Sequence, residues 1–183
     1  DTHLLTSRLR ASMLLAGRRA AKVRGSYVIT GGLGGLGLRA AELVLERGAK
    51  SVVLASRSGR VARGGQGLET QLLGLQRSSL VLACDSADGG DTSALISASF
   101  VFARGELCGL FHTAGIPDKG LIAEMHRYRF EVTAQPKAIG ASRLHQQLSM
   151  LRLDCFVQWS SVGAAFGNAG QATYAAANAY LDS

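Results

Sequence analysis

Ser26-Tyr27-Val28-Ile29-Thr30-Gly31-Gly32-Leu33-Gly34-Gly35-Leu36-Gly37 is the stretch whose reading decides the fold. A short β-branched and aromatic run closes on glycines, and Leu36 to Arg47 then spaces apolar residues at helical period until Gly48 stops it. That is a strand, a glycine turn and a helix. Working outward, the same alternation continues: strand 51–55, a Gly-rich loop over Gly59 to Gly67, helix 68–75, strand 79–84, helix 92–103 and strand 107–113. Helical stretches at 121–125 and 128–151, strand 154–159 and a helix opening near Gln171 complete it. Parallel strands need a crossover for each return, so repeated strand-helix units predict a doubly wound α/β fold. This is a Rossmann-like parallel sheet with helices on both faces.

At 183 residues, with 47% hydrophobic and 18% charged side chains, the chain suits one globular domain with a sizeable core. The net charge of +7 invites a nucleic-acid reading, but the charge is not spread evenly. Arg8, Arg10, Arg18, Arg19, Lys22 and Arg24 stand against Asp1 alone in residues 1–24, leaving 14 basic and 12 acidic side chains for the rest. Residues 1–24 therefore read as a basic leader with a solvated face, and residues 25–183 as the folded domain. No nucleic-acid motif accompanies the leader. No apolar run approaches the roughly 20 residues of a membrane span. Cys84, Cys108 and Cys155 fit neither a disulfide framework nor a zinc-ligand spacing, so a reducing, cytoplasmic setting without a metal is expected.

Between a strand and a helix, glycines allow a tight turn and let a pyrophosphate approach backbone amides at a helix N-terminus. Thr30, Gly31, Gly32, Gly34, Gly35, Leu36 and Gly37 are thus candidate dinucleotide contacts. At the end of the second strand, enzymes that use NAD place a carboxylate on the ribose hydroxyl. Here the residues are Ser56 and Arg57, with no acid. A guanidinium pairs with a 2′-phosphate, which favours NADPH; the plainer alternative is a solvated loop cation. Asp85, closing the third strand, either accepts from the adenine amino group or caps its loop.

Trp159-Ser160-Ser161 ends the fifth strand, where ligands of open α/β sheets gather. Tyr174 follows Ser161 by thirteen residues, Asn178 shares a helical face with Tyr174 at i+4, and Lys137 precedes Tyr174 by 37. On these residues the sequence resembles a ketoreductase domain of a modular polyketide synthase, within the short-chain dehydrogenase/reductase superfamily, over roughly Gly25 to Ser183. In most of that superfamily a Lys follows the Tyr by four positions and an Asn stands in the earlier helix. Here Asn178 and Lys137 match the exchange seen in polyketide ketoreductases. His112-Thr113-Ala114-Gly115 also resembles the family segment bordering the nicotinamide ribose, adding His112, Ala114 and Gly115 to the cofactor candidates.

The resemblance implies reduction of a β-ketoacyl thioester, carried by an acyl carrier protein, in polyketide or fatty-acid-like biosynthesis, beside other domains of one polypeptide. It assigns proton donation to Tyr174 and orientation of the ketone oxygen to Ser161. Lys137 would favour the phenolate and bind the nicotinamide ribose, because a free phenol titrates near 10 and an adjacent ammonium lowers that value. Asn178 would hold the relay in place. Two departures stand out. Pro117-Asp118-Lys119 replaces the Leu-Asp-Asp of one subtype, and Phe166 stands where the other has Trp, so neither alcohol configuration is signalled. Tyr174 is also close to the end of the chain, whereas the family continues into further strands and a lid helix. An incomplete domain, inactive and aggregation-prone by itself, is therefore expected. A non-catalytic remnant and a stand-alone short-chain reductase are the competing readings.

Overall fold

The structure, a computed structural model, describes residues 23–62 and 64–183; the basic leader lies outside the described residues except for Val23 and Arg24. Five strands form one parallel sheet: β1 (Ser26–Thr30), β2 (Ser51–Ser56), β3 (Ser79–Ala83), β4 (Leu107–His112) and β5 (Cys155–Gln158), in the order β3-β2-β1-β4-β5. The chain moves outward one way from β1 to β3, then returns past β1 to build β4 and β5 on the other side. The reversal opens a crevice at the carboxyl ends of β1 and β4.

Side chains alternate across these strands, and the central strands β1, β2 and β4 are buried on both faces while the outer strands β3 and β5 are partly exposed. Tyr27, Ile29, Val52 and Leu54 join Leu38, Ala41 and Val44 of α1 (Gly35–Glu46) and Leu68 of α2 (Leu68–Leu75) in one core. Val28, Val53 and Leu110 join Leu95 and Ile96 of α3 (Gly89–Phe102) and Leu144 and Leu148 of α5 (Gly140–Leu148) in the other. The doubly wound expectation is met.

Three local differences from the expected elements have physical causes. Helix α3 starts three residues before the expected Thr92 because the Asp88 side chain accepts from the Asp91 amide at 2.9 Å, a cap that draws Gly89 and Gly90 into the first turn. The stretch read as one helix over 128–151 divides into α4 (Arg127–Ala134), a π-helical turn over Gln135–Ile139, and α5. Pro136 lies in that turn: without an N–H it cannot continue the α-helical ladder, and the wider turn absorbs the break. A short helix α6 (Val162–Phe166) follows β5, capped by Ser161, and packs on α7 (Ala172–Leu181), which carries Tyr174.

Leu110, fully buried in β4, should lose about 2–5 kcal/mol of stability on Leu110→Ala. Val101→Ala on the exposed side of α3 should stay within about 0.5 kcal/mol, as judged by denaturant unfolding.

Candidate active site

A cleft of about 1020 Å³ opens at the carboxyl ends of β1 to β4, the size of a small-molecule or cofactor site. Thr30, Gly31, Gly34, Gly35, Leu36 and Gly37 line its floor, Ser56, Arg57 and Asp85 its far side, and Ala114 and Gly115 its near side. Of the candidate cofactor residues, Gly32 and His112 lie beneath it. A methyl on Gly32 would meet the Ile29 carbonyl oxygen at 2.5 Å, so this glycine serves packing.

The glycines of the turn do different things. Gly31 has φ +70°, and a Cβ there would sit 2.6 Å from the Ala114 amide nitrogen. Only glycine lets the turn lie against the segment after β4. Gly35, by contrast, is exposed with nothing within 4 Å of its Cβ position, so its bareness leaves space in the cleft rather than relieving a clash. Helix α1 begins there without a side-chain cap, so its first amides face the cleft with the positive end of the helix dipole. These features fit a pyrophosphate.

Arg57 is exposed, and Ser56 donates to the Arg60 carbonyl at 3.3 Å, folding the loop after β2 back on itself. Asp85 takes the capping role left open by the sequence: one carboxylate oxygen accepts from the Ala87 amide at 3.0 Å. It also lines the cleft.

Beyond the cleft, the four expected catalytic side chains come from three places in the fold. Lys137, in the π-helical turn, is 3% exposed; its Nζ donates to the Trp159 carbonyl at 2.5 Å and lies 5.8 Å from the centre of the Tyr174 ring. That is within cation–π range. Burial pushes the Lys137 ammonium down to about 8, with Asp182 opposing the shift. Gly115 is the wall of this lysine's channel, since a methyl there would lie 2.7 Å from Lys137 Cε. Asn178 is fully buried one turn after Tyr174, and its Nδ2 donates to the Tyr174 carbonyl at 2.7 Å. Its Oδ1 has no hydrogen-bond partner among the described residues. Ser161 Oγ accepts from the Gly163 amide at 3.1 Å, which fixes the oxygen and leaves its proton free to donate.

Several contributors were not legible in the sequence. Asp118 accepts from Arg129 of α4 at 2.8 Å and from the hydroxyl of Thr173 at 2.8 Å, and Gly120 donates to the Gly170 carbonyl at 2.8 Å. The loop after β4 is thereby fastened to the helix that carries Tyr174. The Arg129 hydrogen bonds, then that of Thr173, hold the Asp118 carboxyl below the usual carboxylate range. Pro117-Asp118-Lys119 departs from the family pattern, and nothing in its sequence neighbourhood points to Thr173. Ser160 Oγ donates to the Asn178 carbonyl at 3.3 Å, so the serine pair divides its labour between α7 and the open site.

Residues 25–183 match the family model described as the KR domain. Polyketide synthase GfsA of Streptomyces halstedii is 37% identical over 183 residues, covering 100% of this chain and 2% of its own length. A mycocerosic acid synthase-like polyketide synthase of Mycobacterium tuberculosis is 37% identical over 176 residues, covering 94% of this chain and 8% of its own. A solved structure of A-type ketoreductases from a modular polyketide synthase gives a TM-score of 0.81 at 37% identity, covering 94% of this chain and 36% of that one. Levodione reductase, at 23% identity and a TM-score of 0.73, covers 86% of this chain and 62% of its own and shares the fold. The chain thus spans a small part of these curated synthases and 36% of the solved ketoreductase chain. With the glycine turn, Lys137 and Tyr174 in these positions, the chain belongs to the KR-domain family, the ketoreductases of polyketide synthases within the short-chain dehydrogenase/reductase superfamily.

Proposed function

We propose that this chain is the cofactor-binding and catalytic core of an NADPH-dependent reductase. The reaction turns a β-ketoacyl thioester, tethered to an acyl carrier protein, into the β-hydroxyacyl thioester during polyketide assembly. The observation that carries the reading is the convergence of Lys137, Tyr174 and Asn178 next to a dinucleotide-sized cleft. The size of the related synthases supports other domains on the same polypeptide. The free thiols Cys84, Cys108 and Cys155 suit a reducing cytoplasm, and among the described residues no helix is long and apolar enough to cross a membrane.

The glycine turn, Arg57 and Lys137 would hold NADPH, whose nicotinamide would supply the hydride for the ketone carbon. The chain's own groups manage the oxygen. Ser161 donates to the ketone oxygen, and Tyr174 gives its hydroxyl proton to that oxygen as negative charge develops there. The Lys137 ammonium, dry and beside the Tyr174 ring, stabilises the phenolate left behind. It also has donors to offer the nicotinamide ribose beyond the one held by Trp159. The Asn178 side chain fixes the Tyr174 backbone, so the phenol keeps its aim through the transfer.

Two expectations follow for cofactor and chemistry. Arg57→Ala should weaken NADPH by about 10- to 150-fold, the worth of one charge-assisted contact, and leave NADH nearly unchanged. Titrating both cofactors against wild type and variant checks this, and equal losses would remove the 2′-phosphate contact. Tyr174→Phe keeps the ring and its packing but not the proton. It should lower the rate of NADPH oxidation with a β-ketoacyl N-acetylcysteamine thioester by roughly 100-fold or more, with NADPH affinity kept. A variant as fast as wild type would take Tyr174 out of the mechanism.

A further inference from the structure

We infer that His112 is a positioning residue for the reductive site: its imidazole pins the backbone of Lys137 from below and so sets where the lysine ammonium stands. The inference rests on the reading of Lys137 as the reductase lysine.

His112 ends β4 and is fully buried, between the glycine turn and the π-helical turn. Its Nδ1 is 2.6 Å from the Thr30 hydroxyl, and its Nε2 is 3.3 Å from the Lys137 carbonyl oxygen. A carbonyl only accepts, so Nε2 carries the proton, and Nδ1 is left to accept from the Thr30 hydroxyl. A neutral ring satisfies both contacts, and burial agrees, pushing the imidazole down to about 4. The ring has no room to swing away. A methyl on Gly140 would already come within 3.2 Å of its Cε1, and Ser86 closes the same corner by donating to the Pro136 carbonyl at 3.4 Å.

The π-helical turn places the Lys137 carbonyl where two donors meet it, the Gly140 amide from within the turn and His112 Nε2 from the end of β4. A carbonyl oxygen has two lone pairs, so the imidazole adds a second anchor at the residue whose side chain reaches Trp159 in the other direction. Lys137 is therefore held at both ends, by its carbonyl and by its ammonium. Thr30 opens the glycine turn, so one short chain of contacts joins the cofactor loop, the end of β4 and the lysine.

The test needs no turnover, so it fails or succeeds independently of the reductase assay. In protein labelled with ¹⁵N-histidine, His112 should show the neutral form protonated on Nε2 at pH 7; a ring protonated on Nδ1 would overturn the inference. His112→Met and His112→Gln are matched in size, but only the glutamine can donate to the Lys137 carbonyl. With ¹³C-lysine labelling, the Met variant should raise the Lys137 titration midpoint by about one pH unit, as the loosened ammonium regains water, while the Gln variant stays near wild type. A role in stability alone would lower the melting temperature of the Met variant without moving that midpoint. A folded Met variant titrating like wild type would therefore overturn the assignment. If the Met variant does not fold, the wild-type tautomer decides.

Discussion

The Nζ of Lys137 lies 2.5 Å from the Trp159 carbonyl oxygen in a place that leaves the side chain 3% exposed, and the neighbouring structure is arranged around the cost of keeping it there. Folding an ammonium whose pKa is about 8 from an unfolded value near 10.5 costs on the order of 2 kcal/mol at neutral pH, allowing for partial solvent screening. The unfolded chain holds the proton through a window where the native chain has released it. This residue therefore makes stability rise from about pH 8 to 10.5, and carries its full penalty below. Residues that avoid such a penalty are easy to find, and a lysine kept in this position points to chemistry rather than to folding.

Topology makes the position possible. Because the sheet reverses its build between β1 and β4, the segments leaving those strands part at their carboxyl ends and open the cleft. The Gly31 turn presses on Ala114, Gly115 leaves a channel for the lysine stem, and the chain leaving β5 brings the Trp159 carbonyl to the ammonium. On the outer side, Asp118 ties the loop after β4 to α4 and α7, so the Tyr174 helix is held against the sheet by polar contacts as well as packing. Each device is modest. Together they leave the Tyr174 ring beside an ammonium with few degrees of freedom.

Much of this was written in local pattern. The strands were legible because both faces of a parallel sheet are buried, which makes Tyr27 to Ile29 and Val52 to Leu54 continuous apolar runs. The helices were legible from period, and the proximity of Lys137 to Tyr174 matches what the family resemblance implied. What escaped was depth and irregular backbone. Period does not distinguish an α-helix from one interrupted by a π-helical turn, so 128–151 read as continuous although Pro136 sits within it. A histidine next to a Thr-Ala-Gly segment reads as a cofactor neighbour; that it lies under the cleft, with both nitrogens engaged, depends on strand register, which pairs Thr30 with His112 across β1 and β4. Gly32 likewise looks like its neighbours in sequence and differs only in what its missing side chain would strike.

The most direct measurement is the titration of Lys137 itself, by ¹³C resonances of labelled lysine side chains, with Lys137→Arg for assignment. Its midpoint should fall near 8. A Lys137 midpoint near the ordinary 10.4 would mean a hydrated ammonium, and would contradict the buried, carbonyl-held lysine on which the proposed proton transfer depends.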